Sequence, residues 1–112
     1  MKAFTDIQQS RKLAEILPIE SADMHYVMID TENEIYSAGL SNYMGILPSV
    51  PCWSLVALLG VVPYLSLHKT FSGWRCDSYN KEGTSCILGV PADNPVDACY
   101  EMIIKLHELK ML

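Results

Sequence analysis

Four consecutive residues, Asn94-Pro95-Val96-Asp97, fix where one element of this chain must begin. Asn94 offers a side-chain oxygen to cap a helix and Pro95 suits the first helical position. Asp97 sets a carboxylate beside amides that have no intrahelical partner. Apolar residues then recur at Val96, Cys99, Met102, Ile103, Leu106 and Leu109, with Glu101, Lys105, Glu108 and Lys110 on the opposite side. This spacing predicts an amphipathic helix over 94–110. Such a helix must lie on an apolar surface, and the rest of the chain has to supply it.

The stretch just upstream supplies strands. Residues 64–69 alternate Leu65 and Leu67 against Tyr64, Ser66 and His68, and residues 74–79 set Trp74 and Cys76 on one side, Arg75 and Asp77 on the other. Asn80-Lys81-Glu82-Gly83 forms a hairpin turn, with Gly83 free to take positive φ, and 84–89 returns as a strand. Val90-Pro91-Ala92-Asp93 then leads into the closing helix. Nearer the start, Thr5 and Gln8 make a capping-box pattern ahead of Ile7, Leu13, Ile16 and Leu17, predicting a helix over 5–17 that stops at Pro18. His25 to Ile29 is aromatic and β-branched, 30–33 is turn-like, and 34–38 can return, giving a hairpin over about 24–38. Gly39, Gly45 and Pro48 break any period, so 39–48 is expected to be loop. Ser49 as cap, Pro51 near the first turn, Gly60 as a left-handed stop and Pro63 beyond it predict a helix over 50–59. The fold class that results is α+β, a single domain over 1–112. It has an antiparallel meander (about 64–89) plus an N-terminal hairpin (about 24–38), packed by helices at about 5–17, 50–59 and 94–110. The first and third helices are expected on the apolar face of the meander.

A chain of 112 residues can bury a core without staples. Half of it is hydrophobic and only 19% charged, an excess that predicts self-association into a homo-oligomer. A net charge of -5, with eight scattered Lys and Arg, opposes phosphate binding, so no nucleic-acid partner is expected. No Asp, Glu, Lys or Arg occurs from residue 35 to 67. A spanning helix needs roughly 18–20 unbroken apolar residues, and the prolines and glycines here interrupt that length. Burial within the fold or at a subunit interface is therefore expected, not a membrane. The N-terminal residues lack a secretory pattern, which makes a cytoplasmic location and reduced cysteines the default expectation.

Chemistry-bearing residues are scattered. His25, His68, His107, Cys52, Cys76, Cys86 and Cys99 include no pair at zinc-binding spacing, so no metal and no cofactor are expected. Cys76 and Cys86 flank the 80–83 turn and could bridge if the register allows; otherwise they are two small apolar residues of the sheet. A Cys or Ser nucleophile needs a base within about 3 Å, and sequence alone cannot set His68 or His25 beside one. No nucleophile elbow or phosphate loop occurs, and no catalytic residue is assigned. Asp23-Met24-His25 and Glu32-Asn33-Glu34 put carboxylates near a histidine, at what is expected to be a solvated hairpin tip. Trp74, Tyr79, Tyr26 and Tyr36 could stack bases, but with few cations beside them packing in a core or interface is the expected use.

Several tracts resemble a known pattern. Gly73-Trp74-Arg75-Cys76, the hairpin after it, and Ala92-Asp93-Asn94-Pro95-Val96-Asp97-Ala98-Cys99 are similar to small uncharacterised proteins of Bacteroides-type gut bacteria, many of them in prophages and mobile elements. Leu47-Pro48 through Pro51-Cys52-Trp53-Ser54-Leu55 looks like their Leu-Pro, Trp-Ser-Leu segment. That likeness covers about two thirds of the chain. A fainter one, over about the last forty residues, resembles phage helix–sheet–helix sandwich proteins. Both imply a fold and a phage-like context, and neither implies an activity. The expected function is that of a small accessory protein acting through protein–protein contacts, with an unknown protein partner and its own copies. Two alternatives are an acidic mimic that inhibits a nucleic-acid-binding host protein, suggested by the charge, and a minor hydrolase built on His68 and a cysteine.

Overall fold

In a computed structural model, residues 2–30, 32–33, 35–40 and 49–112 are described. The order is α1 (Ile7–Ala14), a short 3₁₀ turn (Ile19–Ser21), β1 (Met24–Asp30), β2 (Ile35–Leu40), β3 (Ser49–Cys52), α2 (Leu55–Val61), β4 (Leu65–Thr70), β5 (Gly73–Tyr79), β6 (Cys86–Ala92) and α3 (Pro95–Glu108). Two three-stranded antiparallel sheets result, β2-β1-β3 and the meander β4-β5-β6, so the class is α+β. Among the described residues no helix is long and apolar enough to cross a membrane.

The best-signalled element forms as its capping sequence dictates. The Asn94 side chain accepts from the Asp97 amide at 2.9 Å, Pro95 opens α3, and Val96, Cys99, Met102, Ile103 and Leu106 are all buried. Leu109 departs from the expected apolar face, because the helix has ended and the residue stands 57% exposed. α3 lies on β5 and β6, whose inward residues Trp74, Cys76, Leu88 and Val90 complete that core. Arg75 and Asp77 point to the other face, as the alternation requires. The turn closes as expected, with Gly83 at φ 70° and its amide donating to the Asn80 carbonyl. β6 runs to Ala92, taking in the Val90–Ala92 stretch expected as a connector. β6 is an edge strand, so the missing amide of Pro91 costs no ladder bond.

The N-terminal half departs further from its sequence pattern. The helix expected over 5–17 spans only Ile7–Ala14, and its capping box is Asp6 with Gln9, one residue later than Thr5 with Gln8. Asp6 Oδ1 accepts from the Gln9 amide at 2.8 Å, and Gln9 Oε1 from the Asp6 amide at 3.1 Å. Thr5 instead turns inward and is fully buried. The helix expected over 50–59 divides in two. Ser49–Cys52 is strand, pairing with β1 so that Pro51 lies opposite His25, and α2 starts only after Ser54, whose hydroxyl accepts from the Ala57 amide at 3.2 Å. Pro51 reads as a helix start in sequence, but an edge strand tolerates it equally. Gly60 is helical and no left-handed stop; Pro63 forces Val62 to extended geometry and ends the helix there. Gly39 and Leu40 belong to β2, and the remainder of the loop expected over 39–48 (41–48) lies outside the described residues. α1 packs against β3 and not, as expected, on the meander, while α2 packs on α3. Helices thus join two sheets into a body of 48 × 28 × 22 Å. Its radius of gyration, 14.9 Å, exceeds the about 13 Å of an equally long compact chain.

Candidate functional site

Polar groups converge on the outer face of the meander. Register sets His68 opposite Arg75, and Asp77 between Ser66 and Gly89. Arg75 Nε donates to Asp77 Oδ1 at 2.7 Å, and His68 Nε2 lies 3.7 Å from Oδ2. The bond to Asp77 raises the Arg75 guanidinium above its ordinary value. Gly89 makes the arrangement possible: a Cβ there would stand 2.7 Å from Asp77 Oδ1 and collide with the Arg75 guanidinium. A hydrolase built on His68 and a cysteine would also need a thiol beside the imidazole. Cys76 points to the opposite face, and Cys86 pairs with Tyr79, four residues or about 13 Å along the strand from the partner of His68.

Cysteines elsewhere are packed. The register places Val90 opposite Cys76, so a Cys76–Cys86 bridge is not formed, and all four thiols are free. Cys76 meets Cys99 of α3 within the core; their mutual hydrogen bond and burial both raise the Cys76 thiol, while the same bond lowers that of Cys99 against the opposing effect of burial. Cys52 sits in a buried polar knot. Thr5 Oγ1 lies 2.7 Å from Ser10 Oγ and accepts from the Trp53 amide at 3.2 Å, while the Tyr26 hydroxyl donates to the Thr5 carbonyl at 2.6 Å. Burial lifts the Cys52 thiol above its ordinary value and Tyr26 to about 12, leaving both protonated and Cys52 a poor nucleophile.

The aromatic residues pack by their edges. Tyr26 meets Phe4 and Tyr36 edge-on at 6.2 and 6.4 Å, Arg11 covers the Tyr36 ring at 5.6 Å, and Trp74 packs against the core. Asp23 is used by Ser54, accepting from its amide at 2.9 Å and bonding its hydroxyl. His25, His68 and His107 fall on β1, β4 and α3, and no metal-holding cluster occurs among the described residues. Glu34 lies outside them.

Exposed apolar side chains gather at one end of the meander. Val62, Pro63, Tyr64, Ile87, Leu106, Met111 and Leu112 line an open cleft of about 270 Å³, with Lys81 at its lip. Tyr64, Ile87, Met111 and Leu112 are each between 42% and 50% exposed, a degree of apolar exposure that marks interaction surfaces when contiguous. Tyr64 is held at φ 64°, a left-handed conformation unusual for a bulky residue, while its carbonyl accepts from the Tyr79 amide at 3.0 Å. Other concavities among the described residues include one of about 290 Å³ beside Trp74 and Pro91 and one of about 310 Å³ between the 3₁₀ turn and α2. His68 lines none of the three.

No known protein family, curated protein or solved structure matches the chain. Of the cleft residues, Val62 to Tyr64 fall inside the uncharged tract that the sequence singles out. Ile87 and the Met111-Leu112 pair do not; their signals were an apolar residue at an outward strand position and apolar residues past the end of a helix.

Proposed function

We propose that this protein acts by binding, as a small accessory protein whose apolar cleft between α2, β6 and the C-terminal tail seats a protein partner. The observation that carries the reading is the concentration of half-exposed Tyr64, Ile87, Met111 and Leu112 around that cleft, with Tyr64 held in a costly backbone conformation at its edge. Self-association belongs to the same reading, supported by a chain that is half hydrophobic. A phage or mobile-element context rests on the resemblance of the Gly73-Trp74 and Asn94-Pro95 tracts, and a cytoplasmic setting on four free thiols. The acidic residues are dispersed over the two ends of α1, the 3₁₀ turn, the β5–β6 turn and α3, which weighs against an acidic mimic. The His68 geometry weighs against a hydrolase. The test is a photoreactive phenylalanine analogue placed at Ile87 and, as control, at exposed Glu101. Protein adducts formed from position 87 and not from 101 support the reading, and their absence at 87 removes it.

A further inference from the structure

α2 presents a second apolar surface of opposite character. Val56 is 78% exposed and Leu59, three residues on, also faces out; Ile19 of the neighbouring 3₁₀ turn is 66% exposed. The ionisable residues lining the adjoining concavity are Glu20 and Asp23, whereas the cationic side chain lining the cleft is Lys81. Val56 shares its concavity with two carboxylates and Ile87 shares the cleft with an ammonium group, so the two apolar surfaces are flanked by opposite charges.

We infer that the occupant of the cleft is a second copy of this chain, presenting its α2 ridge of Val56, Leu59 and Ile19. This deepens the binding reading above and rests on it. A short helix offering residues three apart is the shape that apolar grooves accept, and Glu20 of the incoming copy meets Lys81 of the receiving one. Because ridge and cleft are different surfaces, the contact is heterologous: each copy receives one neighbour and enters another, so assembly closes into a ring or grows as a filament.

The experiment is light scattering of the full chain over a concentration series. The native mass should rise above 12.5 kDa with concentration. Ile87→Asp blocks the cleft and Val56→Asp the ridge, so each variant alone should stay at 12.5 kDa. An equimolar mixture of the two should give a species of twice that mass and nothing larger, because one intact ridge meets one intact cleft. A native chain that remains monomeric overturns the inference, as does assembly by either variant alone, or a mixture that stays monomeric. If either variant fails to fold by circular dichroism, Lys81→Glu and Glu20→Lys replace the pair. Each reversal should then weaken association about tenfold and the double reversal restore it; an unrestored double overturns the inference. A monomeric chain that still crosslinks another protein from position 87 defeats this inference and leaves the binding reading standing.

Discussion

The two sheets of this molecule are held by different physics. The meander rests on α3 through apolar side chains: Cys76, Val90, Cys99, Met102, Ile103 and Leu106 are almost or completely out of water. The sheet β2-β1-β3 meets α1 through directed bonds added to the buried Leu13 and Trp53, with Thr5, Ser10, Tyr26 and the Trp53 amide tied together and the Trp53 indole donating to Ser21 at 3.0 Å. Apolar packing is cumulative and tolerant of detail, whereas a buried polar knot depends on every partner being present. The difference predicts that the halves answer to different kinds of substitution.

The largest effect is expected in the meander. Leu106→Ala should lower the unfolding free energy by about 2–5 kcal/mol, read from the denaturant midpoint, and an unchanged midpoint would remove Leu106 from the core. Thr5→Val keeps the volume but strands the Trp53 amide and the Ser10 hydroxyl, costing about 1–3 kcal/mol. Hydrogen exchange should quicken first in β1 and β3; equal acceleration in β5 would show that the sheets open as one unit and so break the comparison.

Asp97 joins the halves. It accepts from Lys2 and Gln9 at 2.9 Å and from Asn94 at 2.8 Å. Burial opposes its ionisation, but these bonds outweigh that and hold its carboxyl below the ordinary 3.8. A depressed carboxylate stabilises the fold above its unfolded value, and the contribution is lost as pH falls through the folded one. Asp97→Asn should therefore cost about 0.5–1 kcal/mol near neutral pH, after screening at this partly exposed site, and the gap from the native chain should close below pH 3.8. A gap constant with pH would mean that the bonds matter and the charge does not. Similar in size and opposite in sign, Tyr64→Gly should raise stability by about 0.5–1 kcal/mol, by relieving the left-handed φ, while weakening association. Loss of both would make Tyr64 a packing residue alone.

The same contrast explains what could be read from sequence. α3 was legible because cap, proline and periodicity agree, and the meander because Leu65, Leu67, Trp74 and Cys76 alternate around a turn with Gly83. The N-terminal half misled where two geometries accept the same residue: Pro51 suits a helix start and an edge strand, and Thr5 and Asp6 are equal candidates for a cap until Trp53 claims one. That claim comes from a residue 48 positions away, which no local pattern carries. The cleft was half legible, since the uncharged tract pointed to it but its far wall, Ile87 with Met111 and Leu112, comes from elements distant in sequence.

Gly89 has a consequence for how this sequence can change over time. Any side chain there forces the half-exposed Arg75 guanidinium to shift at the expense of its bond to Asp77, so the three positions are coupled in how they can change. A lineage that first shortens Arg75 leaves the largely buried Asp77 carboxylate without its closest cation, and one that first alters Gly89 does the same by collision. Neutralising Asp77 removes the cost of losing Arg75, and moving or shortening Arg75 then clears the space over Gly89. Substitutions at Gly89, Arg75 and Asp77 should therefore be non-additive, each changing the cost of the other two.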